Sequence, residues 1–186
     1  MFHCHKAASE LNLDGVGTAS QAAKFAAGMG HVALAQTNHG SINGALKHRK
    51  ACEREGIIPI AGMESYWRPD RHVREKEWLY RRWHLVLLAK NLVGWHNLIR
   101  ISSAAFASGF YMSPCVDWDL LERYGEGLIC TTSCALGPLP YLVENGTDKD
   151  VAYWMERAKG IFGADLYCSV KPPDWSRQRS LHLEVV

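Results

Sequence analysis

Two histidines near the start of the chain have a spacing that suits metal binding. His3 and His5 flank Cys4. If this segment is a strand, alternate side chains point to one face, and the two imidazoles share that face with Cα atoms about 6.6 Å apart. Neutral imidazole binds zinc and similar ions, so the pair can hold one ion together. Histidines with this spacing also occur without a metal, and the pair alone leaves both interpretations open.

Further side chains of metal-binding types stand next to the other apolar runs. His39 and Glu64 follow the second and third runs, and Cys134 follows the fifth. Because the carboxyl ends of parallel strands meet at one edge of a sheet, we expect these three side chains to converge. His84 precedes its own apolar run and fits this argument poorly. Asp14, in the loop after the first run, is either another carboxylate ligand or a residue that forms a turn or starts a helix.

A cluster of two or three divalent ions suits the hydrolysis of phosphate esters. It lowers the pKa of a bound water and clamps the attacking and leaving oxygens. Such a site needs no catalytic side chain separate from the metal ligands. The sequence contains no G-x-S-x-G elbow, no Walker A loop and no G-x-G-x-x-G fingerprint after a strand. Serine hydrolases, P-loop NTPases and dinucleotide-binding enzymes are therefore disfavoured.

Short apolar runs that alternate with helical patterns position these residues. Strands are predicted near residues 1–4, 32–36, 57–62, 85–89, 128–131 and 165–170. Helices are predicted over 19–29, 42–55, 95–107, 148–162 and from about 175, with short ones over 117–124 and 138–144. This order is typical of βα units around a parallel sheet, so we expect a closed or nearly closed barrel whose strand-end loops carry the site. A doubly wound open sheet is the alternative.

Composition and charge limit the class of protein. The chain has 186 residues, of which 47% are hydrophobic and 22% charged, as expected for one soluble domain. It has no apolar stretch of roughly 20 residues and no signal-peptide pattern at its start, so we predict a cytoplasmic protein without a membrane partner and with reduced cysteines. The net charge is +2, but residues 68–82 carry six Lys or Arg against three Asp or Glu. That segment either binds phosphates or forms a solvated charged loop.

These residues, in this order, resemble the PHP (polymerase and histidinol phosphatase) superfamily. Its members combine an H-x-H strand, an aspartate or histidine soon after it, a T-D-H, a glutamate, a further histidine, a cysteine or histidine, and a late D-x-H. Longer stretches resemble the alpha subunit of bacterial-type DNA polymerase III in particular. They are ALAQTNHG at 33–40, GIIPIAGME at 56–64 and WHLVLLAKN at 83–91, with shorter matches at 94–99, 109–117 and 126–129.

The resemblance implies a fold and a set of ligands. The fold is α/β, a distorted, TIM-like PHP-type (βα)7 barrel forming one domain over 1–186, in which we expect the last strand, with its D-x-H, to be missing. The resemblance implies two to three zinc, manganese or iron ions. His3, His5 and Glu64 would hold one ion, and Glu64, His84 and Cys134 would hold a second. Asp14 and His39 would hold the third. Asn38 replaces the T-D-H aspartate, and Asp14 lies two residues further from His5 than in the polymerase pattern. We therefore expect the third ion to bind weakly.

The resemblance also implies a function. It is that of a PHP domain in a replicative polymerase, with metal-dependent phosphoesterase chemistry of the 3′–5′ exonuclease kind. The implied partners are DNA at a primer 3′ end, the rest of the polymerase chain and a proofreading subunit. One alternative is a non-catalytic module that stabilises the polymerase or docks a partner. Another is a free-standing phosphatase of the PHP superfamily.

Overall fold

The computed structural model describes residues 2–4, by their backbone alone, and residues 17–74 and 82–169. The strands are β1 (Phe2–Cys4), β2 (Ala33–His39), β3 (Ile58–Trp67), β4 (Trp83–Ala89), β5 (Phe110–Tyr111), β6 (Ser113–Val116), β7 (Leu128–Thr131) and β8 (Leu166–Tyr167). The helices are α1 (Ala19–Gly28), α2 (Ala45–Arg54), α3 (Leu92–Ser108), α4 (Trp118–Tyr124), α5 (Pro138–Asn145) and α6 (Asp148–Phe162), and a 3-10 turn (Gly163–Asp165) follows α6.

Polar side chains fix where several helices begin. Thr18 and Thr147 each form a capping box, in which the hydroxyl accepts a bond from the backbone three residues on and that residue's side chain binds back. Asn91 caps α3 by accepting a backbone N–H in the first turn at 2.9 Å, a contact worth about 1 kcal/mol. Because of this cap, α3 begins before the predicted start at residue 95. The helix predicted over 148–162 has the same bounds in the structure.

The direction of β4 corrects the expectation of a parallel sheet. The main sheet has the order β1-β2-β3-β4-β7-β8, and β6 pairs with the end of β3. The β1–β2, β2–β3 and β7–β8 pairs are parallel, but β4 is antiparallel to both β3 and β7. Trp67, the last residue of β3, pairs with Trp83, the first residue of β4. The connection between these strands therefore leaves and re-enters the sheet at the same edge.

The sheet is open across the described strands, since β1 and β8 stand at opposite ends of the strand order. This agrees with a PHP-type barrel that is not closed. β3 extends to Trp67, five residues beyond its predicted end at 62, while β8 is only two residues long. β5 and β6 were not predicted. The helix expected from residue 175 lies outside the described residues. Among the described helices, none is both long and apolar enough to cross a membrane.

The larger core lies between one face of the sheet and helices α3, α4 and α6. Four indole rings meet in this core, with neighbouring centroids 5.0–6.2 Å apart. They belong to Trp67, Trp83, Trp118 and Trp154. Large buried aromatic rings dominate core energetics, and truncating one to alanine typically costs about 3–5 kcal/mol. This cluster fixes the positions of β3 and β4 relative to the helices.

The opposite face of the sheet carries a smaller apolar cluster. It consists of Ala35, Val86 and Leu88, with Ile60 and Ile129 packed against it. Alternation along each strand puts these side chains on the same face as the polar residues at the strand ends. The small apolar cluster therefore lies next to those polar residues on the same face of the sheet.

Candidate metal centre

Three predicted ligands converge at one edge of the sheet. His39 is the last residue of β2 and pairs with Glu64 in β3. His84 is the second residue of β4 and pairs with Tyr66. The antiparallel direction of β4 puts its amino end beside the carboxyl ends of β2 and β3, so His84 belongs to the cluster although it precedes its apolar run. One ligand atom from each of His39, Glu64 and His84 lies within 4.8 Å of the others.

The Glu64 carboxylate is the centre of this cluster. Its Oε2 lies 2.8 Å from His39 Nε2 and 3.1 Å from His84 Nδ1. Its Oε1 accepts a hydrogen bond from the Ser133 hydroxyl at 2.6 Å. Glu64 is 3% exposed, so these bonds replace nearly all of its contact with water.

Cys134 reaches the same centre from the loop that follows β7. Its Sγ lies 3.6 Å from His84 Nδ1. Ser133 has a φ of 63°, a left-handed conformation that is uncommon for residues other than glycine. This turn directs the Ser133 hydroxyl to Glu64 and the Cys134 thiol to His84. Strained backbone of this kind costs of order 1–3 kcal/mol and is concentrated at functional sites.

The four groups shift one another's pKa values. Burial alone would raise the pKa of Glu64, but hydrogen bonds from His39, His84 and Ser133 hold it well below its ordinary value. Burial would lower the pKa of His84, yet its contacts with Cys134 and Glu64 raise it to about 9. Burial also opposes ionisation of Cys134, but the His84 contact and a backbone hydrogen bond at Leu136 lower its pKa. Without a metal, these pKa shifts favour a carboxylate at Glu64 and an imidazolium at His84.

The residues present fit a divalent ion. Two imidazoles, one carboxylate and a thiol with a lowered pKa are ligand types that zinc and related ions accept. Ligand atoms about 2.1 Å from a tetrahedral ion lie about 3.4 Å apart. The Glu64 oxygen is already 2.8 and 3.1 Å from the two imidazole nitrogens. Binding an ion between Glu64 and either imidazole would require the oxygen and the nitrogen to separate by about 0.3–0.6 Å.

Tyr66 orients both imidazoles from outside the cluster. Its ring stacks on His39 with a centroid distance of 5.8 Å and an interplanar angle of 7°, and it meets His84 edge-on at 5.5 Å. Gly40 has a φ of 60°, and a Cβ at this position would lie 3.2 Å from the Tyr66 ring and 2.8 Å from Pro114. Glycine at 40 therefore lets the chain pass close to the tyrosine. Supporting contacts of this kind fix the orientation of metal-binding imidazoles.

Comparison with known proteins decides the family. The family model described as the PHP domain matches residues 2–171. The chain belongs to the PHP domain family. The resemblance stated above is thereby confirmed.

The relatives of this PHP domain extend the resemblance to one kind of polymerase subunit. The chain is 40% identical over 167 residues to the DNA polymerase III subunit alpha of Treponema pallidum, covering 89% of this chain and 14% of that protein. It is 37% identical over 177 residues to the subunit alpha of Aquifex aeolicus, covering 91% and 15%. The PHP domain thus spans about one seventh of the length of the curated relatives it matches.

A solved structure supports the fold. A protein from Bifidobacterium adolescentis, named as a metal-dependent phosphoesterase, superimposes with a TM-score of 0.54 at 15% sequence identity. The match covers 98% of this chain and 81% of that one. At this identity the likeness concerns the fold alone. It agrees with the α/β architecture predicted from the sequence.

Three predicted ligands of the PHP pattern are not tested by the structure. His3 lies in β1, where its backbone is in register with Ala35 of β2. His5 and Asp14 lie outside the described residues. All three remain predictions. Asn38, which replaces the usual aspartate, is buried, and its side-chain amide donates to the Asn43 carbonyl at 3.0 Å.

Sequence reasoning missed two residues of the centre, Ser133 and Tyr66. Neither type is a usual metal ligand, so a search for ligands passes over both. Ser133 directly precedes Cys134 in a polar T-T-S-C run after a buried strand, and that run was the available signal. Tyr66 lies two residues beyond Glu64, which places both on one face of a strand, but β3 was predicted to end at residue 62.

Proposed function

We propose that this PHP domain is part of a DNA polymerase III alpha subunit and hydrolyses phosphodiester bonds at a DNA 3′ end with the help of divalent ions. The similarity to curated alpha subunits over about nine tenths of the chain supports the first half. The convergence of His39, Glu64 and His84 carries the second half. Zinc, manganese and iron all suit this donor set.

The chain's own residues prepare the site for this reaction. Glu64, held by Ser133 on one oxygen, presents the other oxygen between the two imidazoles. When bound, a divalent ion supplies a water of lowered pKa and positive charge for the phosphate oxygens. The apolar cluster around Val86 closes the site from below, which limits the access of bulk water from that side. No separate side-chain nucleophile is required.

The number of ions follows from residues beyond this cluster. His3 and His5 are proposed to join Glu64 around one ion, and Asp14 to join His39 around another. Glu64, His84 and Cys134 would hold the ion whose ligands are all described. The proposal is therefore two to three ions, with Glu64 shared between two of them.

A non-catalytic role is the second candidate, and one observation favours it. The Glu64 carboxylate already has three hydrogen-bond partners among the protein's own side chains. A buried carboxylate that is fully paired stabilises the arrangement of strands without any metal. The same residues can therefore serve as a scaffold that joins β2, β3, β4 and the loop after β7, while the domain stabilises the polymerase or docks a proofreading subunit.

Metal content and turnover separate the two candidates. The 186-residue chain is purified, loaded with Mn²⁺, Zn²⁺ or Fe²⁺ and assayed for bound metal by elemental analysis. It is then incubated with a 5′-labelled single-stranded oligodeoxynucleotide. Two or more equivalents of metal and shortening from the 3′ end support hydrolysis. A folded, soluble chain that binds metal but leaves the oligonucleotide intact supports the scaffold, and one that binds no metal overturns the metal proposal.

Variants of two glutamates control this experiment. Glu64→Gln removes the carboxylate that two of the proposed ions share, and it should abolish the shortening and remove those two ions. Glu53→Gln removes a carboxylate from an exposed pair with Arg49 on α2 and should change neither. Equal activity of the two variants would trace the shortening to a contaminating nuclease.

A further inference from the structure

The direction of β4 places Arg82, the last residue of the basic segment 68–82, near the metal centre. The segment connects the end of β3 to the start of β4, and both of these strand ends lie at the edge that carries His84 and Glu64. Its last residue, Arg82, lies two positions before His84. The Arg82 guanidinium carbon lies 5.7 Å from the centroid of the Tyr66 ring. That ring also contacts both imidazoles of the centre.

Arg82 and Arg74 are two described arginines of this segment for which the described residues supply no carboxylate partner. Arg74 lies over the Tyr111 ring and donates to the carbonyls of Arg71 and Ser108, whereas Arg82 lies over Tyr66, the ring that contacts the metal centre. Arg71 is paired with Asp117 and Asp119, and Arg68 donates to the carbonyl of Val73. Arg82 donates to the Ser113 hydroxyl. It forms no ion pair with any carboxylate in the described part of the chain. Its positive charge is therefore not neutralised by a described carboxylate.

A guanidinium without a carboxylate partner can bind a phosphate group. It has five N–H donors in a planar fork that matches two oxygens of a phosphate group. Ser113 engages one of its nitrogens, which leaves donors for a ligand. Stacking on an aromatic ring is favourable and holds the fork in one orientation. Tyr66 thus contacts both the arginine and the two imidazoles of the metal centre.

We propose that Arg82 binds a non-bridging phosphate oxygen of an oligonucleotide substrate next to the metal centre. The assignment rests on the proposed hydrolysis and adds a side chain that would favour a polynucleotide over a small phosphate monoester. A substrate with more than one phosphate engages the metal centre and Arg82 together. A small monoester engages the metal centre alone.

Three variants test this assignment. Arg82→Gln removes the charge, and Arg82→Lys keeps the charge but loses the fork. Arg100→Gln is the matched control, because Arg100 also lies over a tyrosine ring, that of Tyr124 at 5.9 Å, and binds one polar side chain, Asn97 at 2.9 Å, but on α3. The probes are a fluorescein-labelled pentadeoxythymidylate for binding and its unlabelled form for turnover, both with Mn²⁺-loaded protein.

The expected result is specific to binding of the polynucleotide. Arg82→Gln should raise KM and the dissociation constant about tenfold with unchanged metal content, and Arg82→Lys should show an intermediate loss. Turnover of p-nitrophenyl phosphate should stay within about twofold of the unsubstituted chain for all three variants. If Arg82→Gln and Arg100→Gln both match the unsubstituted chain in KM and dissociation constant, the assignment is overturned.

Failure of the proposed hydrolysis would be recognised separately. If the unsubstituted chain turns over neither the oligonucleotide nor p-nitrophenyl phosphate, hydrolysis is rejected. The dissociation constants for the labelled oligonucleotide then test the role of Arg82 by themselves. Weaker binding by Arg82→Gln than by Arg100→Gln then still supports a phosphate contact. Absence of any binding by the unsubstituted chain overturns both proposals.

Discussion

Replacing Glu64 with glutamine tests the electrostatic account of the metal centre. The glutamine side chain has nearly the same size but no charge, so it cannot stabilise an imidazolium at His84. The observed distance of 3.1 Å between Glu64 Oε2 and His84 Nδ1 makes their interaction direct. We expect the pKa of His84 to fall from about 9 toward its ordinary value of 6.5, by roughly 1–3 pKa units.

The free energy involved follows from the same pKa values. A rise from 6.5 to about 9 corresponds to roughly 3 kcal/mol, at about 1.4 kcal/mol for each pKa unit. The contacts of His84 with Cys134 and Glu64 produce this rise against the effect of burial. If Glu64 contributes about half, its replacement lowers the free energy of unfolding of the metal-free chain by about 2 kcal/mol near pH 6.

The pH dependence has a definite sign. Because the folded-state pKa of His84 is raised, the stabilisation is complete below the unfolded value of 6.5 and is lost as pH rises through about 9. The two proteins should therefore differ most near pH 6 and least near pH 10. Urea denaturation followed by far-ultraviolet circular dichroism, with a chelator present, measures the difference at each pH. An NMR titration of the imidazole measures the pKa itself.

A matched control isolates the role of the buried pair. Glu53→Gln breaks an exposed ion pair with Arg49, which should cost no more than about 0.5 kcal/mol. If the difference between the unsubstituted chain and Glu64→Gln is the same at pH 6 and pH 10, the assignment of the pair is refuted. An unchanged His84 pKa in that variant would refute it as well.

Three other perturbations test separate parts of the structure. Gly40→Ala places a Cβ 3.2 Å from the Tyr66 ring at a φ of 60°, so urea denaturation should show a loss of about 2 kcal/mol, and unchanged stability would contradict the close packing. Joint replacement of His3 and His5 by alanine should remove metal from one site in elemental analysis while circular dichroism stays unchanged, and full metal content would rule these ligands out. The apparent affinity for Mn²⁺ should rise about tenfold between pH 7 and pH 8, because the ion must displace the proton that a pKa of about 9 keeps on His84; a pH-independent titration would exclude His84 as a ligand.

Local patterns in the sequence were sufficient to predict some residues of the candidate site. His39, Glu64 and Cys134 each follow a buried apolar run, and residues at the ends of parallel strands converge whatever the details of the loops. The helix predicted over 148–162 has these bounds in the structure, where Thr147 caps its start and Gly163 follows its end. The family was recognisable because its ligand order and the phrases between the ligands are both present.

The direction of β4 could not be predicted from local sequence patterns. The run from Leu85 to Ala89 is apolar on both faces, and its periodicity is the same whether the strand is parallel or antiparallel. Direction depends on pairing with Glu64 and its neighbours in β3, which is a long-range contact. The end of β3 was missed for the same reason, because β6 pairs with Tyr66 and Trp67 and extends that strand. β5 and β6 are too short to show a period.

The group of four indoles in the larger core gives the protein an optical signal of its own. The Nε1 atoms of Trp67 and Trp154 are buried and have no hydrogen-bond partner among the described residues, so their emission should lie at short wavelength. Trp83 packs against Trp67 with ring centroids 5.7 Å apart, and it directly precedes His84. A paramagnetic ion bound at His84 would quench this emission, while the same amount of zinc would leave it bright. If the proposed centre binds metal, this emission would report the exchange of one ion for another on the unlabelled chain.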